Sequence, residues 1–250
     1  MQAFLTLTRR ELASFFVSLA GYIIIALSTF QMGLSFFFLL KKLQAQPTPM
    51  PITELFYMTP FFWLILLLSA PVITMRLFAL EKYSGTFETL MTAPVSDWQV
   101  VLAKFTAALI FFMLMWLPLL GCIFLLSHFT SDPMALDSGA LGSTFLGIFL
   151  LGSLFMAIGC FASALTRSQI IAAMITLAIS FTFFLLSFFS ERLPLQKEWM
   201  NDALNYVDVV GQMQDFSRGI VDTRSLSFYF SATIFFLFLT YRVVESRRWK

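Results

Sequence analysis

Apolar residues in this chain come in long runs separated by short polar intervals, unlike the spaced apolar positions of elements half-buried in a soluble core. A hydrocarbon layer about 30 Å thick is crossed by roughly 20 helical residues. Six stretches meet that length, at 17–40, 56–75, 105–127, 144–166, 169–190 and 226–241. The pattern predicts an all-α polytopic membrane protein, a single transmembrane domain over 1–250 with six transmembrane helices. The first run, VSLAGYIIIALSTFQMGLSFFFLL, exceeds the roughly 7 to 15 apolar residues of a secretion signal and is expected to remain as a span. Pro71 in the second run and Pro118 in the third each remove a backbone hydrogen bond, which predicts bends there.

Composition strengthens this reading. The chain is 59% apolar and 12% charged, with 32 Phe and a mean hydropathy of +0.84, against about a quarter charged in a soluble chain. Six spans put both termini on one side. With the termini inside, the inner segments hold Arg9, Arg10, Arg76, Lys82, Lys104, Arg167, Arg242, Arg247, Arg248 and Lys250, ten of the 16 basic residues. The outer segments hold Lys41, Lys42, Arg192, Lys197, Arg218 and Arg224, four of them in one long loop where the charge rule carries less weight. Both termini are therefore expected on the cytoplasmic side of the membrane. Cys122 and Cys160 fall inside spans and read as small apolar side chains.

Candidate chemistry is sparse. No GxxxxGK[ST] phosphate loop occurs, and no nucleophile and base pair or metal-spaced cluster supports an enzyme. No ionisable residue falls well inside a span, which counts against an ion-driven carrier. The lone His128 reads as a loop residue at the end of span three. In span four, the pairs Ser153 with Ala157 and Gly159 with Ser163 have the four-residue spacing of small residues that lets helices approach in lipid. That spacing serves packing within one bundle as well as a contact between subunits.

The interval EKYSGTFETLMTAPVSDWQVVLAKF, 81–105, is the informative one. The chain is expected to leave the membrane at Arg76. Phe87, Leu90 and Met91 share one helical face while Glu88 and Thr92 project elsewhere, which predicts a short amphipathic helix over 86–92. Gly85 permits a sharp turn before it, Pro94 ends it, and Ser96 with Gln99 fits a capping box that opens the next helix. Such a helix can lie in the headgroups or dock on a partner. The loop over 191–225 is long and carries Val207, Val209, Val210 and Phe216 among its charges.

The run MRLFALEKYSGTFETLMTAPVSDWQVVLAKF resembles the cytoplasmic segment of ABC-2 type permeases through Arg76, Glu81, Gly85, Thr86, Glu88, Leu90, Pro94, Val95, Ala103 and Lys104. The resemblance implies a coupling helix that docks into a separate ATP-binding subunit. It makes Arg76, Glu81, Gly85, Thr86, Phe87, Glu88, Leu90, Met91 and Pro94 the expected contact residues. ATP and Mg would be bound by that subunit, present in two copies, and not by this chain. TRRELASFFVSLAGY resembles the family's elbow helix, with Phe4, Leu12, Phe15 and Leu19 along one face and Arg9 to Glu11 on another. The C-terminal NYVDVVGQMQDFSRGIVDTRSLSFYFSATIFFLFLTYRVVESRRW resembles the gliding-motility-associated (GldF-like) branch. It implies re-entrant helices closing the outer end, with Phe216, Arg218, Gly219 and Asp222 as gate residues. The expected function is the permease subunit of an exporter, paired with a second permease, identical or homologous, within membrane lipid. An accessory outer-face protein is a further expected partner, and nucleic acid is not. The alternative is a scaffold that anchors partners without transporting anything.

Overall fold

A computed structural model describes residues 2–45, 52–87, 95–129, 138–192 and 198–246. All regular structure among them is helical, and six helices are long and apolar enough to cross a membrane, over Leu19–Lys41, Pro60–Ser84, Asp97–Leu125, Ser138–Leu165, Gln169–Ser187 and Thr223–Ser246. Three of these begin earlier than the apolar runs that predict them, at Asp97, Ser138 and Thr223 instead of 105, 144 and 226. Helix ends are set by caps and backbone hydrogen bonds, which hydropathy does not register.

An N-terminal helix, α1 (Gln2–Val17), bends at Ser18 into α2 (Leu19–Ala45). The bend is tight enough that a side chain on Gly21 would meet the Phe15 carbonyl oxygen at 2.0 Å. A short α3 (Ile52–Tyr57) leads to α4 (Pro60–Thr74), whose Pro60 takes the first helical position, where its missing N–H is harmless. Pro71 lies inside α4, and the helix breaks only after Thr74 before resuming as α5 (Ala79–Ser84). The third span is α6 (Asp97–Met115) and α7 (Leu117–Phe129), interrupted by a turn at Trp116 with Pro118 in the first turn of α7. Then come α8 (Ser138–Leu165), α9 (Gln169–Arg192), the short α10 (Glu198–Val207) and α11 (Val209–Ser217), and α12 (Thr223–Ser246).

The bundle is organised around α8, whose most apolar window is 78% buried against 22% for the windows of α2 and α9. Small residues make this centrality possible. A Cβ on Gly152 would sit 2.2 Å from the Phe112 ring of α6, and one on Gly159 would sit 2.0 Å from Thr74 of α4. Ser153 Oγ and Thr233 Oγ1 lie 3.2 Å apart between α8 and α12, and Ala157 is fully buried. Without a hydrophobic drive between helices in lipid, such close backbone approach and interhelical hydrogen bonding supply the adhesion. Phe62, Phe111, Phe112, Phe155 and Trp116 fill the middle of the core.

Polar side chains concentrate at the two ends. One end, here the near end, gathers α1, α5, the start of α6 and the last turns of α8 and α12, with Trp98 stacked on Tyr241 at 4.4 Å. The far end gathers α3, α10, α11 and the first turns of α8 and α12. Among the described residues the loop over 191–225 thus holds the two helices α10 and α11. Of these α11 is driven into the bundle, with Val209, Met213 and Phe216 buried against α8 and α9.

Candidate functional site: a charged node beside the 85–95 segment

Lys104 projects from the second turn of α6 and is 2% exposed. An ammonium at that depth is costly unless neutralised. Two carboxylates supply the charge, with Glu81 Oε1 of α5 at 2.8 Å and Glu11 Oε1 of α1 at 3.1 Å from Nζ. Arg10 Nη2 bridges the same two oxygens from the surface, at 3.1 Å to Glu11 and 3.3 Å to Glu81. The Lys104 contacts are close but lie outside hydrogen-bond geometry, and Glu81 Oε2 is buried without a hydrogen-bond partner, so the attachment is chiefly coulombic. One cation thereby holds three helices together. Its placement corrects one expectation, because Glu11 lies on the buried face of α1 with Thr8 and Phe15, whereas Leu19 is exposed. Pairing with Lys104 outweighs the preference of a carboxylate for water.

A second set of contacts fixes the break between α4 and α5. Phe78 and Ala79 donate their N–H groups to Ser163 Oγ of α8 at 3.0 and 3.1 Å, and Ser163 Oγ lies 3.2 Å from the Met75 carbonyl. Phe78, the residue preceding α5, has no side chain able to cap it, so a hydroxyl from a neighbouring helix does so. Buried Lys82 donates to the Ala164 carbonyl in the last turn of α8, where a cation also complements the helix dipole. Packing within the bundle thus continues beyond Arg76 through α5, where Phe78 and Ala79 are fully buried.

Gly85 then takes φ +76, the left-handed conformation that ends a helix, and the backbone is helical again at 86–87. Thr86 is exposed, whereas Phe87 is buried with its ring 5.2 Å from Lys82 Nζ. Glu88, Leu90, Met91 and Pro94 lie outside the described residues. On the other side of that gap Ser96 and Gln99 form the predicted capping box, with Gln99 N–H donating to Ser96 Oγ at 3.4 Å and Ser96 N–H to Gln99 Oε1 at 3.2 Å. Arg76 donates to Ser18 Oγ at 2.7 Å, which ties the start of this region to the α1–α2 bend.

At the far end the sequence-nominated residues have definite local tasks. Phe216 is 1% exposed, and a Cβ on Gly147 of α8 would sit 2.9 Å from its Cβ. Gly219 (φ +90) closes α11 with a Schellman pattern, Ile220 N–H to the Asp215 carbonyl at 2.9 Å and Gly219 N–H to that of Phe216 at 3.2 Å. Asp222 caps α12, accepting from Arg224 N–H at 3.0 Å. Arg218 reaches Glu54 of α3 through Nε at 2.9 Å and Nη2 at 2.6 Å, and Gln214 joins at 3.2 Å. Glu54 is 2% exposed and is not picked out by sequence reasoning, since an acid just before the apolar run over 56–75 looks like an ordinary loop charge. The Arg218 guanidinium holds its carboxyl below the usual range, against the opposing effect of burial. Beside this cluster, Tyr57, Trp63, Leu67, Phe181, Phe184 and Gln214 help line an apolar groove of about 930 Å³ between α4 and α9. Among the described residues no group of acids, histidines and cysteines could hold a metal ion.

This is a multi-pass membrane bundle with a helix-break-helix element clamped at one end by buried charge. Residues 10–239 match the profile described as ABC-2 family transporter protein, and the chain belongs to that family. No curated protein sequence matches it.

Two outcomes follow from the charged clusters. Lys104→Met leaves two buried carboxylates facing one another and is expected to cost about 3–5 kcal/mol; adding Glu11→Gln and Glu81→Gln should restore most of it, measured by unfolding in detergent micelles. Because the pKa of Glu54 is lowered on folding, its contribution is present above the unfolded value and lost as pH falls through the folded one. The stability gap between wild type and Glu54→Gln should accordingly be widest near neutral pH and close in acid, and a gap independent of pH would show that the ion pair is not its source.

Proposed function

We propose that this chain is the membrane-spanning subunit of an ATP-driven exporter, energised by a separate ATPase that docks on the segment over 81–95. Membership of the ABC-2 family makes transport the reading, and one observation carries the coupling. The segment opens on α5, whose Glu81 is paired to Lys104 and whose Lys82 is held by α8, and turns sharply at Gly85. A push on the segment therefore reaches α1, α6 and α8 together through short, stiff contacts. Arg76, Glu81, Gly85, Thr86, Phe87, Glu88, Leu90, Met91 and Pro94 form the contact region on this reading, with Gly85 and Thr86 exposed among its described residues.

Two ATPase subunits, binding ATP and Mg between them, would act on two permease subunits, identical or homologous. The exposed apolar faces of α2 and α9 are suited to lipid or a second subunit. The basic bias of the near end supports a cytoplasmic setting for it and an inner-membrane location. On that orientation α11, with Phe216, Arg218, Gly219 and Asp222 ordering its end, closes the outer side. The C-terminal likeness supports assigning the chain to the gliding-motility-associated branch as part of this proposal, without naming a cargo.

Co-expression with the candidate ATPase tests the reading. Gly85→Val strains the left-handed turn and Glu88→Lys reverses a charge in the contact region. Each is expected to lower permease-stimulated ATP hydrolysis about tenfold or more, the scale of one charge-assisted contact, while leaving the isolated ATPase unchanged. Unaltered stimulation in both variants would refute docking at this segment. A cellular phenotype that survives a hydrolysis-dead ATPase but is lost when this chain is deleted would favour the scaffold reading instead.

A further inference from the structure

Between α1, α5 and α6 the charged node borders a cavity of about 180 Å³, roughly ten times what one water requires. Its polar lining is Arg10, Glu11, Ser14, Arg76, Glu81 and Lys104. Three cations face two carboxylates, so the pocket carries a formal charge of +1. Arg76 is half-buried, and its contact in the described structure is the neutral Ser18 hydroxyl, not a carboxylate. Lys104 Nζ makes no hydrogen bond of good geometry, and Glu81 Oε2 has no donor. The pocket thus offers positive charge to an anion and an acceptor to a hydroxyl at the same time.

Its position narrows the ligand. The helix α1 presents Leu5, Phe16 and Val17 to the outside while carrying Arg9 and Arg10, and Trp98 stacks on Tyr241 at the same end. Exposed apolar residues beside arginines, with an aromatic pair nearby, mark the level of lipid headgroups. A basic pocket between helices at that level is suited to an anionic headgroup.

We infer that this cavity binds the headgroup of an anionic phospholipid whose phosphodiester pairs with Arg76 and Arg10 and whose hydroxyl donates to Glu81. One phosphodiester charge brings the pocket to neutrality. A zwitterionic headgroup leaves it at +1, and a choline headgroup has no hydrogen-bond donor for Glu81. Occupancy would stiffen the junction of α1 with α5 by adding contacts across it. The inference requires only that the near end lie at a membrane surface, so it stands or falls separately from the ATPase reading.

The test uses the full-length chain in detergent, with native mass spectrometry and thermal unfolding in the presence of phosphatidylglycerol, phosphatidylcholine or soluble glycerol phosphate. Phosphatidylglycerol should be retained and should raise the melting temperature more than phosphatidylcholine, with glycerol phosphate far weaker. Arg76→Gln should weaken phosphatidylglycerol binding about tenfold, the scale of one charge-assisted hydrogen bond. Ser18→Ala, which removes the neighbouring hydroxyl but no charge, should preserve the lipid preference, and Arg10→Gln, at the exposed rim, should reduce it. Equal retention of the two lipids, or a preference that survives both arginine substitutions, would overturn the proposal. Stabilisation by glycerol phosphate equal to that by the lipid would show a free phosphate site and overturn it equally.

Discussion

The near end depends on the buried ammonium of Lys104. Lys104 is almost fully buried, so α6 can hold it there only with Glu11 and Glu81 alongside, and those come from α1 and α5. Every other contact there is compatible with that demand. The α1–α2 bend at Ser18, the break after Thr74 and the Ser163 hydroxyl that caps α5 bring the two carboxylates to one point. Breaking such a set costs more than forming it gains, because any member removed leaves its partners charged in a poorly hydrated place. What it provides is a defined arrangement of three helices, where apolar packing alone would allow them to slide.

Between the two polar ends, adhesion has a different basis. Glycines and small hydroxylated residues on α8 admit Phe112, Thr74 and Phe216 to van der Waals contact, and the far end repeats the use of a buried acid through Glu54 and Arg218. On the proposed reading this division is functional. Charge fixes the end that receives force, while the middle, with its turn at Trp116 and an open groove between α4 and α9, is packed by contacts that can rearrange. A bundle of this kind responds to a partner only if the partner prefers one arrangement over another.

Hydropathy made the six spans legible, and local chemistry made the capping box at Ser96 and the turn at Gly85 legible, because each depends on neighbours in sequence. Glu11 reads as part of the polar face of α1 because a single helix pattern cannot report a cation on another helix far along the chain. Glu54 was hidden for the same reason, its partner Arg218 lying 164 residues on. Ser163 reads as a small packing residue until the break in α4 places two unsatisfied N–H groups beside it. The residues that carry the likeness to the family thus have visible local causes at Gly85, Gly219 and Asp222, and long-range ones at Glu81, Lys104 and Arg218.

The central claim is that α1 and α5, joined through Lys104, move as one body when the partner ATPase binds nucleotide. Spin labels at the exposed positions Arg9 and Tyr83, each paired also with a label at exposed Ile220 on the far end, test it most directly by pulsed electron resonance on the assembled complex. The account predicts that the 9–83 distance stays fixed on adding nucleotide while the distances from 9 and 83 to 220 both shift. A change in the 9–83 distance, with either long distance left unmoved, would contradict it.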